Sequence, residues 1–190
     1  GWARACVLPL ALAKSSGKVK LRLLRHRNNS SIYAVRDESY HRYQLTGFEL
    51  DKTLVVPTTT LDDIVFGPEG NNHQWGEIIK IDAQGSELEI LRGAERCLRE
   101  NSTALLCETA FFSPYKGAPL FSEIDSFLRK RGYVFYGFHD IQHRSTKQLS
   151  KSQAWGRERY MQADALFLRD PFESEVPQRN IDDRAAALLD

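Results

Sequence analysis

From Pro57 onward the chain alternates short β-branched runs with stripes at helical spacing, and this alternation constrains the fold more than any other feature. Ile78–Ile81 is a compact run bounded by charges, the pattern of a strand buried on both faces. Gly85 breaks it, Ser86 and Glu89 form a capping-box pair, and Leu88, Leu91, Ala94 and Leu98 then recur along one helical stripe. The pattern repeats with a strand at 104–107, an amphipathic helix at 119–131 with Leu120, Ile124, Phe127 and Leu128 facing inward, and Gly132 as its stop. Strands at 133–138 and 163–168 follow. Alternating strands and helices predict an α/β sheet, mostly parallel, with helices on both faces.

The first third reads as strands and turns instead. Residues 6–12 and 19–24 form strands around a Ser15-Ser16-Gly17 turn, residues 32–35 and 53–56 two more, and 36–52 is polar and irregular. Thr60 with Asp63 caps a short helix over Ile64 and Val65. Residues 145–157 are polar and 171–190 form a loose tail, within which 185–189 has helical character.

A net charge of +1 removes the simplest electrostatic case for nucleic acid. The charge is uneven, from +6 over residues 1–50 to −5 over 51–100. The basic start places Lys18, Lys20 and Arg22 in alternation with Val19, Leu21 and Leu23, as on the wet face of a half-buried strand; a phosphate-facing patch is the competing reading. Cys6, Cys97 and Cys107 are odd in number and without CxxC spacing, against a disulfide framework or structural zinc and for a reducing, cytoplasmic setting. The apolar run at 5–13 contains Pro9 and is far shorter than the roughly 20 residues of a membrane span. It reads as a buried strand rather than the remnant of a signal segment.

Ligands of open α/β sheets bind outside the carboxyl ends of the strands. Two such ends carry acids, Asp82 after Ile78–Ile81 and Glu108 after 104–107, and neighbouring strands would bring both into one crevice. Carboxylates there can orient a cationic ligand, hold a divalent ion or act as general base. The bland alternative is that Asp82 caps its loop and Glu108 pairs with an arginine.

Residues 80–95, KIDAQGSELEILRGAE, resemble the hallmark segment of the FkbM-family methyltransferases, which use S-adenosylmethionine. The resemblance extends in order through VPTTTLDDIV at 56–65, LLCE at 105–108, YKGAPLFSEIDSFLRKRGY at 115–133 and ADALFLR at 163–169, so that it covers about residues 53–169. It implies a Rossmann-like, class I methyltransferase sheet and methylation of a hydroxyl oxygen on a small-molecule or glycan acceptor, such as a sugar or natural-product scaffold. It also implies that Asp82, Gln84, Gly85 and Glu87 line the cofactor and acceptor crevice, with Glu108 on its far wall. Asp82 or Glu108 would then take the acceptor's proton.

One departure from the family pattern matters. No Gly-rich loop follows a first strand, no GxG precedes the hallmark segment, and the only methionine is Met161. The expectation is therefore a domain incomplete at its N-terminus over residues 1–170, inactive by itself, followed by the tail at 171–190. A Rossmann-like binding or assembly module without a cofactor site is the reading from another class. A dinucleotide enzyme is disfavoured because no GxGxxG opens a helix. His139, Asp140 and His143 are candidate metal ligands, although two histidines in a turn-rich loop read more naturally as exposed. Trp155, Tyr160, Phe111 and Phe112 read as packing or as acceptor-pocket walls, and His73 and Trp75 have no role that spacing decides.

Overall fold

The computed structural model describes residues 7–68, 75–144 and 159–170. The expectations for Cys6, His73, Trp155, the polar stretch at 145–157 (the last two within 145–158) and the tail at 171–190 lie outside the described residues. The elements run β1 (Ala11–Leu12), β2 (Gly17–Leu24), a 3-10 turn (Arg27–Asn29), α1 (Asp37–Arg42), β3 (Leu50–Thr59), α2 (Leu61–Phe66), β4 (Ile78–Ile81), α3 (Glu87–Arg92), α4 (Glu95–Glu100), β5 (Ala104–Ala110), α5 (Phe121–Arg129), β6 (Tyr133–Arg144) and β7 (Arg159–Arg169). They form two sheets, a three-stranded one in the order β1-β3-β2 and a four-stranded one in the order β4-β5-β7-β6.

Both sheets are mixed, which corrects the expectation of a mostly parallel sheet. β1–β3 and β4–β5 are parallel, whereas β2–β3, β5–β7 and β6–β7 are antiparallel. The cause is connectivity. A parallel pairing needs a crossover, usually a helix, and the sequence between β6 and β7 offers no apolar helical stripe, so β7 returns against β6 and inserts between it and β5.

Helices on both faces are not what the described residues show either. The core joins Ile79, Ile81, Leu105, Cys107, Ala165 and Phe167 of one sheet face to Leu88, Leu91, Leu98, Ile124 and Leu128 of α3, α4 and α5. Right-handed crossovers that advance in one direction along a sheet place their helices on the same side. The opposite face carries Ile78, 70% exposed, and the partly exposed Leu106, Glu108, Asp164 and Leu166. β4 is therefore an edge strand with one covered face, not a strand buried on both.

The helical stripe expected from Leu88 to Leu98 is real but belongs to two helices. Gly93 ends α3, its carbonyl accepts from Asp62 N at 3.0 Å, and a Cβ there would sit 2.2 Å from the Ala13 carbonyl oxygen. The Asp62 carboxylate then caps α4 by accepting from Arg96 N and Cys97 N at 2.9 and 2.8 Å. Thr60 Oγ1 accepts from Asp63 N at 2.9 Å, as its spacing predicts. The apolar run at 5–13 contributes only β1 among the described residues, residues 32–35 form no strand but one isolated bridge from Val35 to Tyr115, with another at the preceding Ser31, and α1 interrupts the stretch read as irregular. On β2, Lys18 and Lys20 are exposed while Val19, Leu21 and Leu23 are half-buried, the solvated-face pattern. Arg22 turns back to the Ile32 carbonyl, and Arg27 pairs with Asp51 at 2.7 Å.

Candidate functional site at the carboxyl ends of β4 and β5

β4 and β5 are paired in register up to Ile81 opposite Cys107, so Asp82 and Glu108 come next side by side. Asp82 follows the end of β4 as expected, whereas the strand expected at 104–107 runs on to Ala110 against β7 and Glu108 lies within it, opposite Asp164. The chain leaves β4 through a strained turn. Gln84 has φ of 50° and Gly85 φ of 98°, both in the left-handed region that disfavours a side chain. A Cβ on Gly85 would lie 2.9 Å from Ala118 Cβ and 3.5 Å from the rings of Tyr115 and Tyr33, so glycine is required by space as well as by φ.

The turn is braced from within. Glu87, 4% exposed, accepts from both Ala83 N and Gly85 N at 3.0 Å through one carboxylate oxygen, and burial raises its pKa. Ser86 Oγ donates to the Ala83 carbonyl at 3.0 Å and makes no capping bond, so the Ser86–Glu89 box does not form. Buried Ser31 donates to the Gln84 carbonyl at 2.6 Å from the other side. Backbone strain of this kind persists only where the surroundings over-determine it, and it concentrates at functional sites.

The result is a convergent set of side chains. The Gln84 amide donates to Glu108 Oε2 at 3.0 Å and to Asp82 Oδ1 at 3.3 Å, and Gln162 of β7 donates to Glu108 Oε1 at 2.7 Å. Lys80 reaches Asp164 Oδ2 at 2.9 Å and Asp82 Oδ2 at 3.8 Å. No arginine pairs with Glu108 among the described residues, so the bland reading of that acid does not hold. Burial first, then the charges of Asp82, Glu87 and Asp164, push the Glu108 carboxyl up to about 8, with Lys80 opposing.

This edge opens into a cleft of about 850 Å³. Asp82, Gln84, Glu108 and Gln162 line it together with His26, Asn29, Tyr43, Thr46 and Phe48 from the first third of the chain. Gly85 and Glu87 do not line it; one shapes the turn and the other braces it. Beside Asp82 a second, apolar groove of about 450 Å³ runs along the open edge of β4, lined by residues including Leu12, Ile64, Ile79, Ile81 and Trp75.

The other candidates divide. His139 and Asp140 are 3.0 Å apart but 73% and 75% exposed, and His143 meets the Tyr160 ring edge-on at 4.8 Å. Among the described residues no three His, Cys, Asp or Glu side chains group as metal ligands would. Phe111 packs against Phe121, Phe138 and Tyr160, Phe112 against Tyr43, and Trp75 against the main core. Cys97 and Cys107 are buried thiols whose pKa values burial raises, to about 12 for Cys97.

Sequence reasoning missed Gln162, Asp164, Lys80 and Tyr115. The first two had a signal, because in β7 they alternate with Ala163 and Ala165 and so share one face, and Asp164 lies opposite Glu108 in the β5–β7 register. Tyr115 had none, since it arrives from a loop.

The methyltransferase FkbM domain matches residues 3–135. The chain belongs to the FkbM methyltransferase family. Among curated proteins and among solved structures, nothing matches it. The match takes in the hallmark turn, both acids and α5, and begins well before residue 53, so the first sheet belongs to the family domain as well. No helix among the described residues of this FkbM methyltransferase chain is long and apolar enough to cross a membrane.

Proposed function

We propose that this chain carries the acceptor side of an S-adenosylmethionine-dependent O-methyltransferase, with Glu108 as the general base that takes the proton of the acceptor hydroxyl. The observation that carries this reading is the Glu108 carboxyl: half-buried on β5 beside the end of β4, held by two amide donors, raised to about 8 and open to a polar cleft. A base performs best when its pKa lies near the working pH, and Glu108 meets that condition. Asp82, exposed at the β4 edge, orients the Gln84 amide and adds negative charge beside Glu108.

The donor set suits the cofactor's charge. Asp82, Glu108 and Asp164 are offset locally by Lys80, which leaves net negative charge favourable to a sulfonium cation. When bound, S-adenosylmethionine supplies the electrophilic methyl group. Asp82 and Gln84 are the residues of this chain that would face it, while Glu108 and Gln162 hold the acceptor hydroxyl and Glu108 receives its proton. Amide and hydroxyl groups on the cleft wall, from Asn28, Asn29, Gln44, Thr46 and Gln142, suit a polyhydroxylated acceptor such as a sugar or glycosylated natural product.

The absent Gly-rich loop completes the proposal: these 190 residues need such a loop from additional chain to hold the cofactor tightly. Calorimetric titration of the 190-residue chain with S-adenosylmethionine should show little or no heat of binding, and a chain extended by a Gly-rich strand–loop segment should bind and methylate polyols. Micromolar binding by the 190 residues would overturn the need for the loop. Full transfer by Glu108→Gln in the extended chain would overturn the assignment of the base, and an equal or larger loss in Asp82→Asn would move that role to Asp82.

A further inference from the structure

We infer that Tyr115 is the positioning residue of this site: its hydroxyl helps hold the Gln84 amide so that both amide hydrogens point at the carboxyls of Asp82 and Glu108. The inference deepens the reading above and rests on it for the role of Glu108, but its geometry stands by itself.

A glutamine amide can face two ways, and only one of them suits this site. With the carbonyl toward Tyr115, 3.1 Å from its hydroxyl, Nε2 meets Glu108 Oε2 and Asp82 Oδ1. Reversed, the amide oxygen would face the Asp82 carboxylate and, once Glu108 is ionised, a second one. The acids draw both amide hydrogens, and the Tyr115 hydroxyl adds the donor that the amide carbonyl would otherwise lack.

Tyr115 is built to supply that donor. It is 3% exposed, its backbone bridges to Val35, and its amide N–H donates to Ser113 Oγ at 3.0 Å. Its single hydroxyl hydrogen is shared in a three-centre bond, with the Asn29 carbonyl at 2.7 Å as the nearer acceptor and Gln84 Oε1 at 3.1 Å as the second, and Asn29 also lines the cleft. One phenol therefore links the wall that would receive an acceptor to the amide that holds the base.

A packing role and a positioning role differ in what they do to Glu108. The groups that face Glu108 are Asp82 and Lys80 from the β4 side, Glu87 from α3, Asp164 and Gln162 from β7, and Gln84 from the turn. Tyr115→Phe alters none of these directly and keeps the ring against Gly85. It does release the amide that stabilises the ionised carboxylate.

The test is a carbon-13 NMR titration of the Glu108 carboxyl in the 190-residue chain, in wild type, Tyr115→Phe and Gln84→Asn. Asparagine tolerates the left-handed region but is one methylene too short to bridge the acids. Both variants should raise the Glu108 midpoint by roughly one pH unit, the worth of one charge-assisted hydrogen bond. An unmoved midpoint in a folded Tyr115→Phe protein would overturn the inference. Should Tyr115→Phe prove unfolded, Gln84→Asn decides in its place: a raised midpoint supports the amide's role and an unmoved one removes it. If the midpoint moves while Glu108→Gln still transfers methyl groups in the extended chain, the positioning holds and only the choice of base falls.

Discussion

Two groups of titratable side chains stand in one row across the four-stranded sheet, and they behave as opposites. Glu108 lies opposite Asp164 in the β5–β7 register, and Asp164 opposite His139 in the β6–β7 register. At one end Glu108 is desolvated, bonded to two amides and surrounded by like charges, so that its carboxyl is raised to about 8. At the other end His139 and Asp140 are about three-quarters exposed and pair with each other in water. From sequence the first set reads as acids at strand ends and the second as candidate metal ligands in a turn-rich loop, which the structure makes part of β6 instead. What separates them is the wall. The strained turn at Gln84 and Gly85, braced by Glu87, folds over the first set, whereas β6 runs on past the covered part of the sheet and leaves the second in solvent.

This contrast can be broken most severely at Glu108. In a chain extended to bind cofactor, Glu108→Gln should lower methyl transfer by about 10²–10⁴-fold, the usual contribution of a positioned base, while His139→Ala should leave the rate within about twofold. Labelled-methyl incorporation into a polyol acceptor measures both. Equal losses at the two ends would erase the distinction.

Gly85→Ala comes next. A side chain at φ of 98° and 2.9 Å from Ala118 Cβ should cost about 2–4 kcal/mol, combining backbone strain with overpacking, and denaturant unfolding measures it. Asp140 is also in the left-handed region, with φ of 49°, but it is exposed. Asp140→Gly should therefore change stability by no more than about 0.5 kcal/mol, in the stabilising direction.

A smaller effect concerns pH and stability. The raised carboxyl of Glu108 keeps its proton in the folded chain across a range where the unfolded chain releases it, from the ordinary 4.5 of a free glutamate to about 8. Its contribution to stability is thus fully present below pH 4.5 and lost as pH rises through 8. Glu108→Gln should be the more stable protein at pH 8 by on the order of 1–2 kcal/mol, after allowance for solvent screening at a half-buried site, and the difference should vanish near pH 4. Thermal unfolding across that range checks the sign. The matching variant at the exposed end, His139→Ala, should shift stability by less than about 0.5 kcal/mol at either pH.

Much of this was legible in the residues. The β-branched run of β4, the stripe through Leu88, Leu91 and Leu98, and the amphipathic α5 placed the elements. The hallmark turn placed Asp82, Gln84 and Gly85 at the strand end where the structure has them. Hydrophobic periodicity does not report strand direction, so β7 was found while its antiparallel insertion was not. The break at Gly93 was hidden because two short helices can share one apolar stripe, and the capping box expected of Ser86 and Glu89 does not form, since Ser86 turns to the Ala83 carbonyl and Glu87 takes the turn's amides. Long-range polar contacts leave the weakest trace. Gln162 lies 54 residues from Glu108 and Tyr115 lies 31 from Gln84, and only the fold brings them together.

The most direct test of the central claim is the pH–rate profile of methyl transfer in the cofactor-binding, extended chain, with Glu108→Gln measured beside it. The rate should rise with pH to a plateau with a midpoint near 8, and the rise should be absent from Glu108→Gln. A wild-type rate that is flat from about pH 6 to pH 9, or a rise that survives in the variant, would contradict Glu108 as the base.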